Sequence, residues 1–284
     1  MFKQSYIETL SFSGLEGLNV DILRDDTIHK IVSGNKWRKL KYIIKHLKEN
    51  NFETMVSFGG AYSNHLLATA FAGHYFNIKT VGFVRGDEQR APNYYETECI
   101  KNGMQLIHVS RTDYKNKPLL FEKYFANNNK AFFIDEGGKH ELAYLGCQEI
   151  ANELKKTYDY IVLSLGTGTT MKGLLQGIVA KGLRTKVLGI SSLKNNFELD
   201  ETMAEFGTER FEILHNYHRG KYGKMDAELL QFIPSFYAET GIKLDPIYTA
   251  KMVLAVMDLK EKAFFKKTDR VLIIHTGGIW TFQE

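Results

Sequence analysis

The chain has 284 residues, of which 44% are hydrophobic and 25% charged, enough to bury one or two domain cores in an ordinary globular protein. Its 37 basic and 33 acidic residues leave a net charge of +4. Lys39, Lys41, Lys45 and Lys48 are strung along one helical stretch as on a solvated face, so no nucleic-acid footprint is expected. Two cysteines, Cys99 and Cys147, form neither a disulfide framework nor a metal-ligand spacing, and no apolar run approaches the ~20 residues of a membrane helix or forms a signal-peptide core. A reducing, cytoplasmic setting without a metal or a membrane partner is therefore the expectation.

In chain order, short β-branched or aromatic runs predict strands over 18–23, 54–58, 80–84, 105–109, 131–134, 160–163, 186–190, 211–214 and 271–275. Amphipathic stretches between them, among them 37–49, 63–76, 93–102, 141–157 and 170–181, predict helices. Such alternation argues for an α/β protein with parallel sheets covered by helices on both faces. Residues near 50–140 read as a compact run of four strand–helix units, and the flanking segments as a second, larger sheet. The expected division is 1–48 with 141–284 for the larger domain and 49–140 for the smaller. Sites in open α/β sheets lie at the carboxyl ends of strands, where the glycine-bearing turns of this chain fall.

Two of those turns make sense as a pair. Ser33-Gly34-Asn35-Lys36-Trp37-Arg38-Lys39 and Ser57-Phe58-Gly59-Gly60-Ala61-Tyr62-Ser63-Asn64-His65 each put small residues ahead of a helical pattern, with a reactive side chain at its entrance. A helix entrance suits an anion, so a lysine amine and a hydroxyl at two entrances suggest a phosphorylated cofactor with an aldehyde. Most lysines are solvated surface residues, the competing reading for Lys36; a lysine desolvated behind Gly34-Asn35 suits Schiff-base chemistry, with Lys39 one turn later able to neutralise a phosphate.

A third turn, Gly166-Thr167-Gly168-Thr169-Thr170, follows a strong strand and opens a helix. Its glycines let consecutive amides point inward as a phosphate nest, although a purely structural turn explains it equally well. It is neither a P-loop nor a dinucleotide fingerprint. Glu136-Gly137-Gly138 reads better as a plain strand-to-helix turn than as a ligand. Asp245-Pro246 reads as a helix cap with proline in the first turn, ahead of Tyr248-Thr249. His275-Thr276-Gly277-Gly278 closes the last strand with polar groups facing the same crevice.

Together these segments, with Arg24-Asp25-Asp26 and Tyr222-Gly223, resemble the 1-aminocyclopropane-1-carboxylate deaminase/D-cysteine desulfhydrase family in consistent order through nearly the whole chain. The resemblance implies pyridoxal 5'-phosphate as cofactor and two open parallel-sheet, three-layer domains of the tryptophan-synthase β-like class (fold type II). It makes Lys36 the lysine that carries the cofactor and moves protons at the substrate α-carbon. Asn64 would bond the cofactor's phenolic oxygen, and Tyr248 would lie against its ring. Gly166, Thr167, Gly168, Thr169 and Thr170, helped by Lys39, would hold its phosphate. Ser63 would act on the substrate or receive its carboxylate, with Asn64 and His65 beside it. Tyr222, Thr276 and Gly277 would line the substrate pocket. A homodimer acting on a small amino acid is implied as well.

Two positions separate the subfamilies. The deaminase branch typically carries an acid after the Asp-Pro-x-Tyr tyrosine, to meet the pyridine nitrogen, and an apolar residue before the terminal Gly-Gly. Here these are Thr249 and Thr276, which resemble the desulfhydrase branch. An acid deepens the ring's electron sink, which opening an unactivated cyclopropane needs; a hydroxyl leaves a shallower one, adequate when hydrosulfide departs from the β-carbon. The expected activity is therefore a lyase eliminating sulfide from D-cysteine, with deamination of 1-aminocyclopropane-1-carboxylate as the alternative. A non-catalytic protein keeping the fold to bind pyridoxal phosphate or an amino acid is the alternative of another class. The chain departs from the family in its shorter length, in His65, and in the basic segment 215–221, where Arg219 or Lys221 would either recognise a second anion or simply be solvated.

Overall fold

A computed structural model describes residues 2–86, 91–220 and 225–278. In chain order the elements are β1 (Ile7–Thr9), β2 (Asn19–Leu23), α1 (Asn35–Glu49), β3 (Thr54–Gly60), α2 (Asn64–Phe76), β4 (Lys79–Arg85), α3 (Tyr94–Lys101), β5 (Met104–Val109), α4 (Lys117–Phe125) and β6 (Ala131–Ile134). There follow α5 (Glu141–Glu153), β7 (Tyr160–Leu165), α6 (Thr169–Ala180), β8 (Lys186–Ser191), α7 (Glu198–Met203), β9 (Phe211–Leu214), α8 (Ala227–Thr240), α9 (Thr249–Glu261) and β10 (Arg270–Ile274). All nine expected strands are present. β1 was not expected: it is three residues long and pairs antiparallel at the edge, through Ile7–Leu23 and Thr9–Asp21.

The larger unit comprises residues 1–35 and 147–284 and is built on a six-stranded sheet in the order β1-β2-β10-β7-β8-β9, parallel except for β1. Alternation along its strands feeds two cores. Val271 and Ile273 of β10 pack with Val162, Leu188, Ile190 and the α8–α9 residues Phe236, Met252 and Val256 on one face. Leu272 and Ile274 pack with Ile161, Leu163, Val187 and the α6 residues Leu174, Leu175 and Ile178 on the other. A strand buried on both faces reads as a continuous apolar run, which is why these strands are visible in the sequence.

The smaller unit, residues 36–146, carries a parallel four-stranded sheet in the order β5-β4-β3-β6, with Val56, Phe58, Val81 and Phe83 packed against Tyr114 and Leu120. Helix α1 shows the helical repeat plainly: Leu40, Ile43, Ile44 and Leu47 are buried, while Lys45 and Lys48 face water. Lys39, expected on that solvated face, is instead buried. The expected division keeps all of this helix with the larger domain; the compact units part inside its first turn, between Asn35 and Lys36. No helix among the described residues is long and apolar enough to cross a membrane.

Candidate active site

Lys36 sits at the entrance of α1, and the residues just before it are fastened to the end of β10. Gly34 N–H donates to Asp25 O at 3.0 Å and Asn35 N–H to Thr276 O at 3.2 Å. Gly34 holds φ +59°, and a Cβ there would come within 1.9 Å of Thr276 O, so only glycine permits this approach. The amide of Asn35 donates through Nδ2 to Thr170 Oγ1 at 2.9 Å, while its Oδ1 is buried with no hydrogen-bond partner among the described residues.

Around Thr170, the β7–α6 turn forms a cradle. Gly168 precedes α6 in the left-handed region, φ +74°, and as a glycine supplies no capping side chain to the first amides of the helix. Thr167 and Thr169 share a hydrogen bond between hydroxyls 3.0 Å apart. Asn196, which carries no recognisable motif, donates from Nδ2 to Gly166 O at 3.0 Å and so sets the turn. Ser192 lies at the end of the neighbouring strand, its buried hydroxyl without a hydrogen-bond partner among the described residues. The Tyr248 ring closes one side: a Cβ on Gly166 would lie 3.5 Å from its Cε1 and Oη. Thr276 Oγ1 is 3.4 Å from Ser164 Oγ at the carboxyl ends of β10 and β7.

His275 orders the chain beyond Thr276. It donates Nε2–H to Lys243 O at 2.7 Å and accepts Gly277 N–H on Nδ1 at 3.2 Å, which fixes its tautomer.

The entrance of α9 departs from the expected arrangement. Asp245 does cap it, accepting Ile247 N–H and Tyr248 N–H on Oδ1 at 3.0 and 2.9 Å and Thr249 N–H on Oδ2 at 3.0 Å. Pro246, however, precedes the helix, which begins at Thr249. The Thr249 hydroxyl is turned inward: it donates to Asp245 Oδ2 at 2.8 Å and accepts Asp245 N–H at 2.8 Å, in a fully buried position. Its role here is to lock the turn that presents Tyr248.

The smaller unit carries the remaining site residues. Ser63 caps α2 by accepting Leu66 N–H at 3.1 Å, which leaves its hydroxyl proton to donate elsewhere; Asn64 opens the helix. His65 is buried, with Nε2 2.9 Å from Ser57 Oγ. Burial together with the charges of Lys39 and Lys36 pushes its pKa down to about 3. Lys39 Nζ donates to Gly137 O at 2.9 Å. The Glu136-Gly137-Gly138 turn is thus more than a connector. A Cβ on Gly138, where φ is +80°, would lie 3.0 Å from His65 Cε1 and 3.2 Å from Lys39 Cδ, so this glycine leaves room for both side chains. Nothing local in the sequence reveals that.

Arg219, expected either to bind an anion or to be solvated, is half-buried and ion-paired with Asp226 at 2.7 Å and with Glu228. Tyr222 and Lys221 lie outside the described residues.

A family model described as a pyridoxal-phosphate dependent enzyme matches residues 6–277. The chain belongs to this family. Among the relatives of this pyridoxal-phosphate enzyme, a Thermotoga maritima protein named provisionally as a 1-aminocyclopropane-1-carboxylate deaminase is 28% identical, the match spanning 93% of this chain and 90% of the relative. The Arabidopsis thaliana protein named bifunctional D-cysteine desulfhydrase/1-aminocyclopropane-1-carboxylate deaminase, mitochondrial, is 26% identical over 93% of this chain and 73% of its own. The crystal structure of an ACC deaminase homologue superposes with a TM-score of 0.84 at 25% identity, covering 98% of this chain and 90% of that one. The architecture is accordingly the tryptophan-synthase β-like fold type II.

The larger unit fits pyridoxal phosphate on its own terms. A helix entrance with a glycine N-cap and threonine hydroxyls suits a phosphate, the Tyr248 ring beside it suits a flat heteroaromatic ring, and Asn35 Oδ1 and Ser192 Oγ are buried polar groups that find no partner among the described residues.

Proposed function

We propose that this enzyme eliminates a β-substituent from a small amino acid, with D-cysteine as substrate and pyruvate, ammonia and sulfide as products. The observation that carries this reading is the pair of hydroxyls, Thr276 and Ser164, at the ends of β10 and β7, together with the inward-turned Thr249 where the deaminase branch has an acid. When bound, pyridoxal phosphate supplies an electron sink for the α-carbon. A hydroxyl, unlike a carboxylate, does not hold the ring nitrogen protonated, which suits a reaction whose leaving group departs readily.

In this reading the Lys36 amine carries the cofactor, yields to the substrate amine and takes the α-proton as the Cβ–S bond breaks, with the bonding pair leaving on sulfur; water then hydrolyses the released enamine to pyruvate and ammonia. The Gly166–Thr170 cradle, with Lys39, holds the phosphate, Asn64 bonds the phenolic oxygen and Tyr248 supports the ring. Ser63 donates its hydroxyl proton to the substrate carboxylate, and Gly277 borders the substrate. Lys36→Ala abolishes the visible absorbance band of the bound cofactor and lowers kcat/KM by about 10²–10⁴-fold.

The names of the relatives favour a second reading, deamination of 1-aminocyclopropane-1-carboxylate. Assaying pyruvate and sulfide from D-cysteine beside 2-oxobutanoate from the cyclopropane substrate separates the two. Turnover of the cyclopropane substrate alone overturns the proposal.

A further inference from the structure

Ser57 and His65 form a buried pair whose proton arrangement the geometry determines. Ser57 Oγ lies 3.0 Å from Ile134 O and 2.9 Å from His65 Nε2. A carbonyl accepts only, so the single hydroxyl proton goes to Ile134 O. Ser57 Oγ is then an acceptor toward the ring, and His65 Nε2 must carry the proton that fills the second contact. That leaves Nδ1, which is buried, makes no hydrogen bond among the described residues and lies on the ring edge facing Gly138; a Cβ there would come within 3.3 Å of it. A proton on Nδ1 would create a buried cation with an unpaired N–H beside the two lysines of α1, Lys36 and Lys39, the charged groups that act on this ring. Retaining the lone pair costs far less.

We propose that Ser57 is a positioning residue for the reaction, holding His65 as a neutral imidazole protonated on Nε2, so that His65 brings no positive charge to the site and does not bind the substrate carboxylate as a cation. The carboxylate is left to Ser63 and the α2 entrance, and His65 pins that entrance to β3 and β6 through Ser57 and Ile134. A buried histidine at about 3 rather than near its ordinary ~6.5 agrees with this arrangement. The part concerning the carboxylate rests on the amino-acid reading above, whereas the tautomer is a property of the ring alone and is measured without turnover.

The test is ¹⁵N NMR of histidine-labelled holoenzyme between pH 5.5 and 8.5, with the His65 resonances assigned by their loss in His65→Gln. The expected result is an Nε2–H, bare-Nδ1 pattern that does not change across the range. A doubly protonated ring or an Nδ1–H tautomer overturns the proposal, whatever substrate the enzyme prefers. Ser57→Ala removes the acceptor, so the Nε2–H signal broadens or moves toward a mixture of the two neutral tautomers, and KM for the amino-acid substrate rises. Ser57→Thr, which keeps the hydroxyl, restores both. A folded Ser57→Ala with an unchanged tautomer and an unchanged KM overturns the positioning role. If Ser57→Ala does not fold, the wild-type spectrum decides.

Discussion

Thr249 distinguishes two explanations for a hydroxyl where an acid occurs in related enzymes. Were it a direct partner of the cofactor, an acid in its place would simply change the chemistry. Its hydroxyl instead closes on Asp245, in a position with no exposure. Thr249→Glu would force a second carboxylate against Asp245 in the protein interior. We expect this substitution to cost about 3–5 kcal/mol in urea unfolding and not to confer deaminase activity. A stable Thr249→Glu enzyme that processes the cyclopropane substrate would refute this account. Of the two positions singled out for discriminating the branches, Thr276 is the one whose hydroxyl meets another site hydroxyl, that of Ser164, at a strand end.

At the level of elements, helix entrances carry the site, and each is set by a different device. α2 uses a serine cap, α6 uses a left-handed glycine with no cap, and α9 is organised from outside by Asp245. Three backbone amides and one hydroxyl converge on that carboxylate, so Asp245→Ala leaves buried donors unmet. A loss of about 2–3 kcal/mol is expected, read by chemical denaturation, together with weaker cofactor binding because Tyr248 loses its fixed approach. Unchanged stability would show that Pro246 alone sets the turn.

The same elements show what sequence patterns reveal. β7, β8 and β10 are legible because both faces are buried and their apolar runs are unbroken. β1 is not, being three residues long at an edge, and α8, absent from the helices anticipated above, carries Pro234 in its interior. The places of Lys36 at the entrance of α1 and of the Gly166–Thr170 turn between β7 and α6 are legible from local spacing. Asn196, Ser192 and the Gly138 seat for His65 are not, because their partners are distant in sequence and only folding brings them together.

Over the whole molecule, stability toward acid depends on charged groups far from the chemistry. Asp21 in β2 is one: burial pushes its carboxyl up, but hydrogen bonds from Tyr158 at 2.8 Å, Lys156 at 3.0 Å and Thr9 at 3.0 Å outweigh this and hold it below the usual carboxylate range. A depressed folded value means the contribution is complete above the unfolded value, ~3.9, and is lost as pH falls through the folded one. Tyr158→Phe is expected to cost about 1.5–2 kcal/mol at pH 7 and little near pH 2, measured by urea unfolding at both. An equal cost at the two pH values would mean that the tyrosine acts by packing and not through the carboxylate.

The contact of Gly34 with the end of β10 has a consequence for the order in which the protein becomes an enzyme. The carbonyl that fixes the backbone beside Lys36 belongs to residue 276, some 240 positions later in the chain. Long-range closure of this kind comes late in folding, after loop entropy has been overcome. The entrance of α1 therefore takes its folded form only once β10 and the residues after it have been made and docked. On the function proposed above, cofactor capture becomes a report that β10 is in place.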